Sequence, residues 1–301
     1  MTVRHLRTLE DLTSDELAAL LDRADVLAAE RGRHGRPLRG RSVAILLEKA
    51  STRTRLSFEV GAHELGALPV TLLARDTQLG RGEPLEDTAR MLSGYVHAVV
   101  YRTFGHDRIE TLCAHATIPV INGLSDRYHP CQLLADLQTI RAEKGRLAGL
   151  RVAWVGDGNN MAHSWILAAA RAGLRLRLAT PEGYAPDPSV LARGRELGAD
   201  VSVGHDPQWA VENADVVTTD VWASMGQEDE ARRRAEAFAA FQVDTALMKA
   251  AASEAIFLHC LPAHRGEEVA AEVIDGPWSR VWQEAANRLH AQKALLEFLM
   301  S

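Results

Sequence analysis

Cysteine is scarce in this sequence. Cys113, Cys131 and Cys260 are the only three among 301 residues, and no two of them have the CxxC spacing of a zinc ligand or redox pair. An odd, widely spaced set indicates neither a disulfide framework nor a cysteine zinc site. We therefore expect no resident metal and a reducing, cytoplasmic location.

Long apolar runs and an excess of positive charge are also missing. No stretch approaches the roughly 18 apolar residues of a membrane span, and residues 1–6 open no apolar segment of a secretory signal. The formal net charge of −6 argues against a general nucleic-acid or membrane-surface binder. A small anionic substrate is the better expectation, with no nucleic acid and no membrane as partner.

A complete dinucleotide-binding fingerprint is the third absence. A strand runs into Gly156 and Gly158, but Met161 stands where the third glycine belongs. A nicotinamide-dependent dehydrogenase is therefore disfavoured, and we expect no cofactor. Asn160 becomes instead a candidate hydrogen-bond partner for a carboxylate or an amine.

What the sequence does contain is an alternation of short apolar strands with helical patterns. A length of 301 residues with 47% hydrophobic content suits two domains. The alternation predicts an α/β protein with two doubly wound parallel-sheet domains and an active site in the cleft between them. Strands are predicted at 43–47, 69–73, 97–101 and 118–121, then at 151–155, 175–179, 201–203, 216–219 and 255–259. Helices are predicted near 13–31, 53–66, 86–94, 106–116, 131–144 and 283–299.

The segment from Leu47 to Phe58 is the most informative motif. Ser51 and Thr52 fall at a predicted strand-to-helix turn, where unpaired backbone N–H groups and the positive end of the helix dipole favour anions. Arg53 adds a planar fork suited to phosphate. An ordinary Ser or Thr helix cap followed by solvated arginines is the alternative that this window leaves open.

Two further polar positions follow strands in the first half of the chain. Arg102 ends a strand at the edge where ligands bind in such sheets, although a surface ion pair is equally compatible with it. His129 and Gln132 stand at the entrance of a helix, where the imidazole can donate to a carbonyl and the amide can recognise another amide. Simple helix capping by His129 is the other interpretation.

The second half offers two more candidates. Asp220 follows a strand and can hold an ammonium group, while Ser224 can hold a carboxylate, although an Asx turn with a glycine loop explains both. His259 and Cys260 are adjacent, so on an extended strand they point to opposite faces and do not form a nucleophilic dyad. A metal site that adds His264 to this pair lacks an evident fourth ligand.

Taken together and in this order, these motifs resemble the transcarbamoylase family along essentially the whole chain, and within it the branch that uses ornithine. The motifs are Ser51–Arg55, Thr77–Gly80, Asp87–Arg90, Tyr101–Arg102, His129–Gln132, Asn159–Met161, Asp220–Gly226, His259–Gly266 and Asn287–Arg288. The aspartate-using branch is expected to present basic groups where this sequence has Asp220 and Cys260.

The resemblance implies roles for individual residues. The phosphate of carbamoyl phosphate is expected to bind Ser51, Thr52, Arg53 and Thr54, with Arg102 bridging phosphate and carbonyl. The carbamoyl group is expected to contact His129, Gln132, Arg288 and the backbone of Cys260 and Leu261. The ornithine site is expected to consist of Asn160, Asp220, Ser224 and Met225. Catalysis is assigned to Arg53, Arg102, His129, Asp220 and Cys260.

The family also implies domain functions and an assembly. Residues 1–131, joined by a C-terminal helix at 284–301, are expected to bind carbamoyl phosphate, and residues 132–283 to bind ornithine. Transfer would give citrulline and phosphate; aspartate, putrescine and acetylornithine remain alternative acceptors. Gln78 resembles a residue that enters the site of a neighbouring subunit, which implies a homotrimer with shared active sites.

Overall fold

The computed structural model describes residues 3–223 and 230–300, with the backbone alone at Ala231. It divides into unit 1, Met1–Gln138 with Ala286–Ser301, and unit 2, Thr139–Ala285. A parallel sheet of four strands occupies unit 1 and one of five strands occupies unit 2. The predicted α/β class with two parallel-sheet domains is confirmed. The boundaries between the units fall at 138/139 and 285/286, whereas the sequence predicted 131/132 and 283/284.

The sheet of unit 1 has the strand order β2-β1-β3-β4. Its strands are β1 (Ser42–Leu47), β2 (Leu68–Leu73), β3 (Ala98–Arg102) and β4 (Val120–Leu124). Strand β3 is buried along its whole length, as expected for a strand covered on both faces. Leu47 pairs with Arg102, so β1 and β3 end side by side. That register brings the residues that follow both strands to one edge of the sheet.

One helix precedes these strands, and three helices connect them in turn. They are α1 (Ser14–Ala29), α2 (Thr52–Glu64), α3 (Leu85–Tyr95) and α4 (His106–His115). A capping box begins α1, since the side chains of Thr13 and Glu16 each accept a hydrogen bond from the other's backbone. Helix α2 ends shortly before Gly66, whose φ of +90° is a conformation that favours glycine. Apolar side chains of α3, α4 and the strands form the core here.

The sheet of unit 2 has the order β7-β6-β5-β8-β9. Its strands are β5 (Arg151–Val155), β6 (Arg175–Ala179), β7 (Asp200–Gly204), β8 (Val216–Thr219) and β9 (Ile256–His259). Thr219 pairs with His259, so the residues that follow β8 and β9 are neighbours. The strand order reverses direction at β5 and β8, and ligands bind beyond the carboxyl ends of strands at such a point.

Most helices of unit 2 are short. They are α6 (Asn160–Ala172), α7 (Pro188–Glu196), α8 (Pro207–Val211), α9 (Ala231–Phe238), α10 (Thr245–Ala250) and α11 (Ala271–Ile274). The two unit boundaries fall inside longer helices, α5 (Pro130–Lys144) and α12 (Val281–Met300). Among the described residues, no helix is long and apolar enough to cross a membrane.

Candidate functional site

Three arginines and one histidine gather beyond the strand ends of unit 1. Arg102 is the last residue of β3, His129 immediately precedes α5, and Arg288 lies on α12. Arg53 stands in the first turn of α2. The charges of all three arginines act on the imidazole of His129. We call these four residues the arginine–histidine cluster; the sequence predicted each of them as part of one site.

Ser51 is the N-cap of helix α2. Its Oγ accepts a hydrogen bond from the backbone N–H of Thr54 at 3.3 Å, so the capping interpretation of this serine is correct. Capping leaves the start of the helix, and the exposed Thr52, available to an anion. The side chain of Arg53 is half-buried and forms no hydrogen bond or ion pair with any residue that the structure describes. The turn therefore combines a rigid backbone with an uncommitted guanidinium.

Arg288 connects the helix of this turn to α5. Its Nη1 donates to Oε1 of Gln132 at 2.6 Å, and its Nη2 donates to Oγ1 of Thr54 at 3.4 Å. The Nε2 of Gln132 donates in turn to Oδ1 of Asp136 at 2.8 Å. All four side chains are at most 2% exposed. Hydrogen bonds to a buried charged group contribute about 1.5–3 kcal/mol each, so this series of hydrogen bonds holds Arg288 in place.

His129 is neutral at physiological pH. Burial, followed by the positive charges of Arg288, Arg102 and Arg53, holds its pKa well below the usual value. A neutral imidazole carries one N–H, which can donate to a developing oxyanion while the arginines carry the positive charge. The four side chains therefore suit an anion that also presents a carbonyl.

Gln78 lies away from these groups in sequence and is exposed. It opens a short 3-10 helix, Gln78–Arg81, and its side chain makes no hydrogen bond to the described part of the chain. Within one chain, it therefore has no partner that would explain its position.

In unit 2, the strand end that corresponds to that of Arg102 in unit 1 carries a carboxylate. Asp220 follows β8 directly and is 8% exposed. Its Oδ1 accepts hydrogen bonds from the N–H of Val221 at 2.8 Å and from Sγ of Cys260 at 3.1 Å. Its Oδ2 accepts from Nδ2 of Asn159 at 2.9 Å. We call Asp220, Asn159 and Cys260 the carboxylate cluster; it is oriented by three donors and suits a cationic amine.

Asn159 is a member that the sequence interpretation missed. Its Oδ1 caps helix α6 by accepting from the N–H groups of Met161 and Ala162, which frees its Nδ2 for Asp220. The predicted Asn160 is the first residue of α6 and is half-buried, and its contact with the substrate stays a prediction. A stronger use of the N-cap preference for asparagine would have identified the inner residue of this pair.

The turn after β9 is held by His259 rather than activated by it. Leu261 has a φ of +57°, and its N–H donates to Nδ1 of His259 at 2.9 Å. Since Nδ1 accepts, the proton is on Nε2, which donates to Oε1 of Glu268 at 3.1 Å. Both ring nitrogens are thus engaged, and His259 has no lone pair for a metal and no contact that would deprotonate Cys260. This agrees with the strand geometry from which a dyad was disfavoured.

Arg234 and Asp157 form a buried ion pair next to the carboxylate cluster. Nη1 of Arg234 donates to Oδ2 of Asp157 and to the carbonyl of Trp222, both at 2.8 Å. Nε of Arg234 donates to Glu230 at 3.3 Å, so one guanidinium connects the end of β8 to the start of α9. Burial raises the pKa of Asp157 although Arg234 opposes the shift. The predicted residues Ser224 and Met225 lie outside the described residues.

Two family models match consecutive parts of this chain. The carbamoyl-P binding domain of aspartate/ornithine carbamoyltransferase matches residues 4–142, and the Asp/Orn binding domain matches residues 148–299. The chain belongs to the aspartate/ornithine carbamoyltransferase family.

Within that family, the similar proteins are ornithine carbamoyltransferases. The enzyme of Acidothermus cellulolyticus is 58% identical, covering 99% of this chain and 97% of that protein, and the enzyme of Halorhodospira halophila is 57% identical with 99% of each covered. The solved structure from Pyrococcus furiosus has a TM-score of 0.95 and 49% identity, covering 99% of this chain and 97% of that one. The structure from Thermus thermophilus has a TM-score of 0.91 and 43% identity over the full length of both chains.

Proposed function

We propose that this protein transfers the carbamoyl group of carbamoyl phosphate to the side-chain amine of L-ornithine, giving L-citrulline and phosphate. The observation that carries the proposal is the separation of charge between the two units. A buried set of arginines around a neutral histidine suits an anionic carbonyl compound, and a carboxylate held by three donors suits an amino group. Relatives named ornithine carbamoyltransferase, at more than half identity over the full length, support the same assignment.

In unit 1, Arg53 and the start of α2, with Ser51, Thr52 and Thr54, hold the phosphate. Arg102 and His129 face the carbonyl oxygen, and Arg288 with Gln132 orients the carbamoyl amide. Attack by the amine places negative charge on the carbonyl oxygen, where arginine and imidazole donors stabilise it. The bond from carbon to the phosphate oxygen then breaks, phosphate leaves with the electron pair, and the proton that the attacking nitrogen loses passes to the departing phosphate. Loss of one such donor typically costs about 100- to 1000-fold in rate.

In unit 2, Asp220 holds the α-ammonium of ornithine as a cation, with Asn160, Ser224 and Met225 as further contacts. The reacting amine must be neutral, which costs roughly 4–5 kcal/mol at pH 7 for a group of pKa about 10.4. Asp220, whose Oδ1 accepts from Sγ of Cys260, is engaged by the α-ammonium in this proposal, so the reacting amine beside Cys260 and Leu261 is left without a carboxylate partner. The site therefore selects the neutral form at one end of the substrate and the cation at the other.

An acceptor assay tests this proposal. Purified protein is supplied with carbamoyl phosphate and, in separate reactions, with ornithine, aspartate, putrescine or acetylornithine, and the carbamoylated product and phosphate are quantified. We expect citrulline as the dominant product. Turnover with another acceptor at higher kcat/KM would reassign the substrate, and absence of turnover with all four would refute a transcarbamoylase.

We also propose a cytoplasmic homotrimer in which Gln78 enters the site of a neighbouring subunit. The exposed, unsatisfied side chain of Gln78 supports this, as do the exposed apolar side chains of Leu68 and Tyr95 on the same unit. Light scattering gives the mass. Mixing two inactive variants, Gln78→Ala and Arg53→Ala, should restore part of the activity, because some sites then combine two intact halves. No recovery after subunit exchange would contradict shared sites.

A further inference from the structure

Glu48 is a carboxylate that follows β1 and accepts three side-chain hydrogen bonds, and the proposed reaction gives it no role. It directly follows β1, and its side chain is 11% exposed. Tyr101 donates its hydroxyl to Oε1 at 2.8 Å, Arg108 donates Nη2 to Oε1 at 2.5 Å, and the hydroxyl of Thr103 donates to Oε2. Three donors on a largely buried carboxylate are a built arrangement rather than a solvated surface charge.

These contacts involve the residues immediately before and after Arg102 in the sequence. Tyr101 and Thr103 are its two chain neighbours, and both give their hydroxyl groups to Glu48. The backbone N–H of Glu48 also donates to the carbonyl of Arg102 at 2.9 Å. Glu48 therefore contacts Arg102 at its carbonyl and both chain neighbours of Arg102 at their hydroxyl groups.

The same residue begins the loop that leads to the anion-binding turn. Only Lys49 and Ala50 separate Glu48 from Ser51. Nζ of Lys49 lies 4.1 Å from the centre of the Phe104 ring, so this loop meets the segment after β3 at a second point. The distance between the start of α2 and Arg102 is thus set by contacts centred on Glu48.

The charge of Glu48 is maintained by its donors. Burial alone would raise the pKa of this carboxyl, but hydrogen bonds from Thr103, Arg108 and Tyr101 outweigh burial and keep the pKa below its usual value. Nε of Arg108 also donates to the Tyr101 hydroxyl at 3.1 Å, which closes the network. Glutamine would place an NH₂ group among donors and lose the ion pair.

We propose that Glu48 is a positioning residue that sets Arg102 against the phosphate-binding turn, and thereby controls binding and transfer of carbamoyl phosphate. This inference rests on the proposed function. Glu48 touches neither reactant; it acts through the placement of Arg102 and Ser51. A displacement of about 1 Å in such a site can cost on the order of 100-fold in rate.

The test compares Glu48→Gln with Glu59→Gln. Glu59 is a matched control because it also accepts from a threonine and an arginine in unit 1, Thr71 at 2.5 Å and Arg55 at 2.9 Å, but it does not contact the Arg102 segment. For Glu48→Gln we expect a loss of about 100-fold in kcat/KM for carbamoyl phosphate, with KM for ornithine within about twofold of the unchanged protein. Glu59→Gln should retain both constants.

A second variant, Thr103→Val, removes one donor and keeps the carboxylate and its ion pair. It should show a smaller change in the same constant, and the double variant with Glu48→Gln should be less than additive. Unchanged kcat/KM for carbamoyl phosphate in Glu48→Gln, or equal losses for both substrates, would overturn the inference while wild-type citrulline formation stands. No citrulline from the wild-type protein would refute the proposed function and this inference with it.

Discussion

The candidate binding residues of the two units carry opposite charges, and different neighbouring residues hold them in place. Unit 1 gathers Arg53, Arg102 and Arg288 around a neutral His129, whereas unit 2 presents Asp220 among neutral donors. In unit 1 the carboxylate of Glu48 pairs with Arg108 next to the Arg102 segment, and in unit 2 the guanidinium of Arg234 pairs with Asp157. An anionic side chain thus holds the residues next to Arg102, and a cationic side chain holds the segment after β8. Strand ends of the same fold serve two substrates because the side chains that follow them differ.

The largest expected effect follows the removal of the Arg53 guanidinium from unit 1. Arg53→Ala should lower kcat by about 100- to 1000-fold, because a donor to the leaving phosphate is lost. The control is Arg55→Ala, whose guanidinium is 49% exposed and pairs with Glu59. Circular dichroism should show both variants folded. Full activity of a folded Arg53→Ala protein would remove this residue from the phosphate site.

Unit 2 is most vulnerable at its buried ion pair. Arg234→Met leaves Asp157 without its partner, which typically costs about 3 kcal/mol of unfolding free energy. All six tryptophans lie in unit 2, so tryptophan fluorescence during urea unfolding reports this unit. Adding Asp157→Asn removes the unpaired charge and should restore part of the stability. A single variant as stable as the wild-type protein would show that the pair contributes nothing net.

We expect the specificity of unit 2 to depend on Asp220. Asp220→Asn keeps the shape but not the charge, and loss of a charged hydrogen bond of about 2 kcal/mol should raise KM for ornithine roughly 30-fold. Binding of carbamoyl phosphate, followed by calorimetry, should remain unchanged because its expected ligands are in unit 1. Asp215→Asn is the control, since this carboxylate of the same unit accepts from the backbone of Arg151 instead. Unaltered ornithine saturation in Asp220→Asn would contradict the assignment.

The sequence predicted the fold well because strand periodicity and helix caps are local signals. Each strand differs from its predicted bounds by a few residues at most, as β4 at Val120–Leu124 illustrates against 118–121. Polar residues directly after strands, such as Arg102 and Asp220, were also recognisable, since strand ends collect ligands in parallel sheets.

The supporting partners were not recognisable from the sequence. Glu48 meets Arg108 and Asp157 meets Arg234 across 60 and 77 positions, and such pairs depend on strand register and helix placement rather than on local pattern. Asn159 was within reach, because its role follows from helix capping, but the neighbouring Asn160 carries the same side chain. The local sequence pattern thus identifies the polar residues at strand ends, whereas their supporting partners become visible only in the fold.

The smallest expected effect concerns acid, and it should fall on unit 1. Burial, then the charges of Lys293 and Arg31, lowers the pKa of His290 to about 4. The unfolded chain therefore binds the additional proton between pH of about 6.5 and 4, so the unfolding free energy falls as pH drops through that window. The slope from this group is on the order of 1 kcal/mol per pH unit.

His290→Gln should remove that slope, and the exposed His63→Gln should leave it unchanged. Because unit 1 contains no tryptophan, hydrogen exchange of α12 at pH 7, 6 and 5 is the suitable measurement. Burial and the charges of Arg288, Arg102 and Arg53 also hold the pKa of His129 well below its usual value, so acid should loosen unit 1 even in His290→Gln, with a smaller slope. Equal acid sensitivity of α12 in all three proteins would mean that the charge of His290 is not coupled to folding, and that the contrast between the units is confined to their ligand sites.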